Sequence, residues 1–259
     1  MTKQTAETDK VKELARYERS AQILASRLNS ENIKKKILGA QAIPIWLREP
    51  YTFYEKILEN NTDAESNALE LGSGTGMFTG CLLEQGCKVT ATDISKNSLD
   101  VLEYQFRDFE NLTTLVCDME NLPFSENSFD LIFCSGSMSY GEPKIVLKEI
   151  KRVLKKNGKF ICVDSLNHNW IYRFNRWMHF LRDRRTISTL RRMPSQTTID
   201  MYRDEFSEIE VNYFGSVAWS IPLLRLVLGG YLAAKIVSKF DKLIKVKHSA
   251  FKFVMVAKK

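Results

Sequence analysis

The chain has 259 residues, of which 44% are hydrophobic, and a formal net charge of +7. This length supports one substantial core, so we expect one α/β domain with a helical cap. The first twenty residues are charged throughout and lack the apolar run of a secretory signal, which predicts a cytoplasmic protein. The five cysteines show no CxxC spacing, so we expect reduced, buried thiols.

The chain opens with a stretch, residues 8–36, that is rich in Lys, Glu, Ala, Arg and Leu and predicts one or two amphipathic helices. A polar loop, NNTDAES, occupies residues 60–66. We therefore predict an N-terminal helical cap segment at 1–66 and a second unit at 67–259.

From residue 68 the sequence alternates between strand-like and helix-like segments. The strand-like segments are NALEL, KVTATD, TTLVCD, FDLIFCSGS and GKFICVD, and the helix-like ones are MFTGCLLEQ, SLDVLEYQFRDF and PKIVLKEIKRVL. Such alternation predicts a parallel sheet with crossover helices.

The alternation stops at Asp164. Residues 165–205 are rich in arginine and aromatic residues and predict a helical insertion, after which SEIEVNYFGS and AFKFVMVAKK predict two further strands. Between those strands, residues 219–240 are apolar but interrupted by charged residues, glycine and proline, which argues against a membrane-spanning helix. This stretch fits either a lid helix or a segment lying in a membrane interface.

The segment ALELGSGTGMFTG at 68–80 places three glycines after the first strand, where a backbone can approach a ligand closely. The position of the third glycine in a dinucleotide fingerprint holds Met77, and no Lys-Ser or Lys-Thr pair follows, which excludes a P-loop. Glu70 lies two residues before Gly72, where its charge would repel a pyrophosphate but attract a cationic ligand.

Asp93 ends the second strand, and Asp118 follows the third, in LVCDMENLPF. A carboxylate at the first position can accept hydrogen bonds from both ribose hydroxyls. An aspartate that ends a strand is, taken alone, more often a helix cap or a turn residue, but the ordered set of acidic residues indicates a binding site.

With Glu70 and the glycine loop, this set resembles the class I S-adenosylmethionine-dependent methyltransferases over roughly residues 50–164. The resemblance implies a Rossmann-like seven-stranded α/β sheet, mostly parallel with the last strand antiparallel, an N-terminal helical segment and a helical lid between strands five and six. It also implies that Glu70 binds the methionine moiety, Asp118 receives the adenine amine and Met119 packs near the ring. The predicted residues for the S-adenosyl-L-methionine cofactor are Glu70, Gly72, Ser73, Gly74, Gly76, Asp93, Ile94, Asp118, Met119, Ser135 and Gly136. No residue is assigned to a metal.

Methyl transfer needs alignment, and it needs a base only where the nucleophile must lose a proton. Methyltransferases that act on the exocyclic amine of a nucleobase carry the tetrapeptide Asn- or Asp-Pro-Pro-aromatic after strand four. This chain has SGSMSY there, so methylation of a nucleobase amine is disfavoured. In the insertion, His168 is the candidate base or else a helix-capping residue, and His179 is a weaker candidate. The candidate substrate-binding residues are Tyr140, Trp170, Arg173 and Arg176, with further arginines at 182–192, although aromatic packing and a solvated arginine face fit the same pattern.

The charge is uneven along the chain, since residues 165–259 carry 17 Lys/Arg against 7 Asp/Glu. This predicts an anionic partner, which could be a phosphorylated small molecule, a lipid headgroup or nucleic acid. SLNHN, YRFNR and FKFVMVAKK also resemble bacterial surface-polysaccharide methyltransferases, which implies O-methylation of a sugar or glycan precursor.

Four functions remain open from the sequence. The first is a polysaccharide-biosynthesis methyltransferase with an acceptor that is anionic or carried on a phosphate. The second is methylation of a lipid-like or quinone-type acceptor, with peripheral membrane contact. An RNA-modifying enzyme and a non-catalytic cofactor-binding protein are the third and fourth, and nucleic acid is the less favoured partner.

Overall fold

The computed structural model describes residues 3–30, 38–181, 186–244 and 246–259. The chain begins with the long helix α1, Lys3–Ser30, and continues with α2, Arg48–Asn60. The predicted N-terminal helical stretch is thus one helix within its described residues. The division into a cap segment and a second unit stays a prediction.

Seven strands form one sheet. They are β1 (Asn67–Leu71), β2 (Lys88–Asp93), β3 (Leu112–Val116), β4 (Phe129–Ser135), β5 (Leu154–Ser165), β6 (Glu208–Phe214) and β7 (Lys252–Lys258). Their order is β3-β2-β1-β4-β5-β7-β6. β1 to β5 pair in parallel, whereas β7 is antiparallel to both β5 and β6. The fold class predicted from the sequence is therefore confirmed.

Six described helices belong to the alternating part of the fold and to the insertion that follows it. They are α3 (Thr79–Leu83), α4 (Lys96–Gln105), α5 (Pro143–Val153), and, within 165–205, α6 (Trp170–Leu181), α7 (Ile187–Arg192) and α8 (Gln196–Glu205) on either side of the undescribed residues 182–185. The last three lie between β5 and β6, as the insertion prediction requires.

The central strands β1, β4 and β5 are buried on both faces, because successive side chains point to opposite sides of the sheet and both sides are covered. Leu69 and Leu71 of β1 join a core layer that includes α5 and α8 residues, such as Ile150 and Tyr202. Ala68 joins the opposite layer, which contains residues of α2, α3 and α4. With both faces covered, the carboxyl ends of β1, β2, β3 and β4 remain as the place for a ligand, as is usual in parallel α/β sheets.

The apolar stretch 219–240 lies in two helices, α9 (Ile221–Leu228) and α10 (Gly230–Leu243), between β6 and β7. Within the described residues, none of the helices is long and apolar enough to cross a membrane. All five cysteines are free thiols, three of them buried, in agreement with the expectation of reduced side chains.

Candidate functional site

The glycine loop turns directly after β1 and is held by backbone hydrogen bonds. The Ser73 amide donates to the Thr92 carbonyl (2.9 Å) and the Gly76 amide to the Ser73 carbonyl (3.0 Å). Gly74 adopts a φ of +55° and a Cβ built there would meet nothing within 4 Å, so the absence of a side chain leaves open space. At Gly76 a Cβ would lie 2.6 Å from the Phe106 ring, so this glycine serves packing against α4 and the residues after it.

The carboxylate of Asp93 organises the next loop. Its Oδ2 accepts from the Gly74 amide (2.9 Å) and its Oδ1 from the Ser95 amide (2.9 Å). Burial raises the pKa of this carboxyl above its ordinary value, while the backbone amides oppose that shift. Asp93 thus joins the first and second strand-end loops and still lines the cavity.

Glu70 lies inside the sheet, only 3% exposed, where its Oε2 accepts a hydrogen bond from the Thr79 hydroxyl (2.6 Å). Burial raises the pKa of Glu70 to about 8, against the opposing effect of the Thr79 hydrogen bond. Glu70 lies behind the glycine loop rather than on the cavity wall.

A cavity of about 230 Å³ opens at the carboxyl ends of β1, β2, β3 and β4. Its strand side is formed by Gly72, Ser73, Gly74, Thr75, Met77, Thr92, Asp93, Ile94, Cys117, Asp118, Met119, Ser135, Gly136, Ser137 and Tyr140. The structure brings together nine of the eleven predicted cofactor residues and the predicted substrate residue Tyr140. Glu70 and Gly76 lie off this wall.

The opposite side of the cavity is formed by α1, through Lys10, Glu13 and Tyr17. The Lys10 ammonium forms an ion pair with Asp118 and a second one with Glu120, at 3.1 Å. The Tyr17 hydroxyl is hydrogen-bonded to that of Tyr140. Burial and this neighbour raise the pKa of Tyr140, which keeps its hydroxyl protonated at neutral pH.

Carboxylates of α1 fasten the helix to α7. Oε1 of Glu13, a side chain only 4% exposed, accepts from the Thr186 amide (3.1 Å) and the Thr189 hydroxyl (3.1 Å). Oδ2 of Asp9 accepts from the Ser188 amide (3.0 Å). These bonds cap the first turn of α7 with groups from a distant part of the chain.

Residues 69–162, which contain the glycine loop and both aspartates, match the family model described as a methyltransferase domain. These residues form a methyltransferase domain of the class I S-adenosylmethionine-dependent type. The family and the cofactor predicted from the sequence are both confirmed.

Among similar proteins is the demethylmenaquinone methyltransferase of Staphylococcus epidermidis, 36% identical over 109 residues, which are 40% of this chain and 45% of that protein. The sterol 4-C-methyltransferase strm-1 of Caenorhabditis elegans is 30% identical over 108 residues, 40% of this chain and 32% of that one. The matches thus span about half or less of the length of these relatives.

A solved structure, geranyl diphosphate C-methyltransferase from Streptomyces coelicolor, superposes with a TM-score of 0.57 at 14% identity, over 82% of this chain and 77% of that one. At this identity the likeness shows a shared fold.

The cavity fits S-adenosylmethionine on two observations. The Ser73 hydroxyl is buried on the cavity wall and has no hydrogen-bond partner among the described residues, so a polar ligand atom would satisfy it. Gly74 and Gly136 both line the cavity with positive φ, and a Cβ at either would meet only open space within 4 Å. These are the features of a wall that closely approaches a ligand.

The predicted acceptor residues outside the cavity lie on or near α6. Trp170 is 76% exposed and Arg173 is exposed, whereas Arg176 is buried and donates to the Leu166 carbonyl (3.0 Å). His168 is exposed, with its Nε2 3.1 Å from Nδ1 of His248. None of these four side chains lines the cavity, so their roles stay predictions. The side chain of His179 and the arginines at 182–185 lie outside what the structure describes.

Sequence reasoning missed Lys10, Glu13 and Tyr17. Their segment, KVKELARYERS, has the composition of a solvated helix and carries no motif. Only the contact of α1 with residues more than a hundred positions away brings them to the cavity.

Proposed function

We propose that this protein transfers the methyl group of S-adenosylmethionine to a small-molecule acceptor. The observation that carries the proposal is the cavity itself, where the glycine loop, Asp93 and Asp118 meet the buried, unsatisfied hydroxyl of Ser73. A cofactor with polar groups at both ends, and no phosphate, matches this set of hydrogen-bonding groups.

Bound S-adenosylmethionine would supply a methyl group already activated by its sulfonium. The residues of this chain would hold and orient it: Asp93 the ribose hydroxyls, Asp118 and Met119 the adenine, and Glu70 the cationic methionine end through the glycine loop. Because the methyl is activated, the main task of the protein is to exclude water and align the acceptor. The helix α1 covers the cavity and would serve the first of these tasks.

The acceptor we favour carries a lipid-like or quinone-type part. The support is the chemistry named for the relatives, a demethylmenaquinone and a sterol methyltransferase, and the apolar surface of the helices around β6 and β7. Such an acceptor resides in a membrane, so we also propose peripheral contact of this protein with the membrane.

O-methylation of a sugar or glycan precursor is the second candidate. It is favoured by the excess of positive charge in residues 165–259, which suits a phosphate-linked sugar. In this case a hydroxyl must lose its proton, and His168, with His248 beside it, is the group we propose for that step. It would have to reach the cavity from its present exposed position.

The proposal is tested by incubating the protein with methyl-labelled S-adenosylmethionine and separate cell-extract pools of lipids, nucleotide sugars and RNA. Label in the lipid pool, absent with Asp93→Asn, is the expected result. Label in the sugar pool would select the second candidate, and label in RNA would reject both. Cofactor binding without transfer to any pool would contradict the proposed activity and favour a non-catalytic role.

A further inference from the structure

The helices α9 and α10 form a hairpin whose turn is unusually apolar for an exposed surface. Residues 226–231, LVLGGY, contain no charged side chain, and Leu226, Val227 and Tyr231 are 83%, 82% and 73% exposed. We call these six residues the hairpin tip. Gly229, with a φ of +76°, allows the sharp turn between the helices.

The exposure of the hairpin tip is not the result of a detached segment. On the other side of α10, Ala233, Ala234 and Val237 are buried. Asp241, also buried, accepts a hydrogen bond from the Val217 amide (2.7 Å) at the base of the hairpin. The fold therefore holds the hairpin in place and presents its apolar tip outward.

Positive charge follows the tip on both helices. Residues 215–250 contain six Lys/Arg and one acidic residue, the buried Asp241. Arg225, Lys235 and Lys239 are exposed, and we call them the basic collar. An apolar apex followed by cationic side chains is the arrangement of segments that lie in the interface of an anionic membrane.

We propose that the hairpin tip inserts into the interfacial layer of an anionic lipid bilayer while the basic collar contacts the headgroups. A second copy of the chain is a poorer occupant, because two basic collars would then face each other and repel. The proposal rests on the proposed function only for its purpose, which is to bring the cavity to an acceptor dissolved in the membrane.

The test is flotation with vesicles of phosphatidylcholine alone and of phosphatidylcholine mixed with phosphatidylglycerol, without cofactor or acceptor. We expect binding to the anionic vesicles. The variant L226S/V227S should lose at least about tenfold in partitioning, since two exposed apolar side chains no longer enter the interface. I145S on α5 is the control, because Ile145 is an exposed apolar residue, at 45%, outside the hairpin.

A second set of variants tests the role of charge and uses two pairs of lysines with the same spacing in the sequence. K235Q/K239Q should weaken binding to anionic vesicles by about fivefold per lysine and leave binding to phosphatidylcholine unchanged. K144Q/K148Q removes two exposed lysines of α5 at the same separation and should leave both unchanged.

Three results would overturn the proposal: no vesicle binding by the unaltered protein, equal losses in hairpin and control variants, or equal binding to both kinds of vesicle. A dimer that L226S/V227S converts to a monomer, in the absence of vesicle binding, would assign the tip to a second copy. Titration of S-adenosylmethionine into the same samples tests the proposed function separately from the proposed docking surface. Cofactor binding without vesicle binding rejects the docking surface and the membrane contact but not the proposed methyl transfer, and vesicle binding without cofactor binding rejects only the proposed methyl transfer.

Discussion

The two walls of the cavity are built in different ways. The strand wall is fixed by backbone bonds next to buried strands, such as the Ser73 amide to the Thr92 carbonyl. The helix wall of Lys10, Glu13 and Tyr17 is held by side-chain contacts to residues 108, 173 and 123 positions away. Removing the side-chain contacts should leave the sheet intact, so we expect that the helix wall can separate from the strand wall without unfolding it.

From this difference we expect the strand wall to carry the affinity for the cofactor and the helix wall to control access to it. Substitutions on the strand wall should change affinity strongly. Those on the helix wall should have smaller effects, and some should even improve binding.

The largest effect should come from Asp93→Asn. The amide has one acceptor oxygen in place of two, and the charge that would hold the ribose hydroxyls is lost. We expect cofactor affinity to fall at least tenfold, since a hydrogen bond to a charged group contributes about 1.5–3 kcal/mol. Isothermal titration with S-adenosylmethionine measures this. Asp100→Asn, in an exposed ion pair with Lys96, is the control and should leave affinity unchanged.

Glu70→Gln should have a smaller effect on affinity, because Glu70 lies behind the glycine loop, and a characteristic effect on stability. The pKa of Glu70 in the folded protein is about 8, above its ordinary value, so the folded state holds a proton that the unfolded state releases. Without cofactor, the contribution of Glu70 to the free energy of unfolding therefore falls as pH rises from about 4.5 to 8 and is flat above.

Urea denaturation of the cofactor-free protein across this pH range checks the sign. Glu70→Gln should remove that part of the decline and make the variant the more stable protein at about pH 9. Parallel pH profiles of the two proteins would show that Glu70 is ionised in the fold.

Gly74→Ala, compared with Gly229→Ala, should separate the effect of backbone strain on stability from the effect of an added side chain on cofactor binding. Gly74 and Gly229 both have positive φ and open space around an added Cβ, but only Gly74 lines the cavity. Each alanine should lower the free energy of unfolding by about 1–2 kcal/mol. Only Gly74→Ala should also weaken cofactor binding, and equal affinities in the two variants would move the cofactor away from this loop.

The smallest effect belongs to Lys10→Met on the helix wall. Lys10 forms an ion pair with Asp118, the residue predicted to receive the adenine amine, so it competes for that carboxylate. Both side chains are about a third exposed, which limits the pair to about 0.2–1 kcal/mol. We therefore expect affinity to increase by about two- to fivefold. Lys12→Met on the exposed face of α1 is the control, and a decrease for Lys10→Met would mean that Lys10 itself contacts the cofactor.

The sequence predicts the strand wall well because its signals are local. Asp93 and Asp118 follow apolar strands, and parallel strands bring their carboxyl ends to one edge, so chain order alone places both at the same site. The sequence also predicts the sheet from local signals, because segments with the periodicity of a strand alternate with segments that have the periodicity of a helix. The role of Gly76 is less local, because the Phe106 ring that excludes a side chain there lies thirty residues further along.

The helix wall and the acceptor side could not be predicted in the same way. Nothing in KVKELARYERS indicates that Glu13 caps α7, because the partner amides are distant in sequence. Arg176 looks like an anion-binding arginine, yet its guanidinium donates to the Leu166 carbonyl and lies over the Phe251 ring. Which basic residue is buried and which is exposed is decided by tertiary packing, which periodicity does not encode.

The position of β7 has a consequence for how the protein is made. β7 follows β6 in the chain but lies between β5 and β6 in the sheet. During synthesis, β6 leaves the ribosome before the strand that connects it to the rest of the sheet, and β5 keeps an open edge until residues 252–258 emerge. An open edge can pair with another nascent chain. The parallel half can thus form early, whereas the half beside the insertion closes only when β7 arrives.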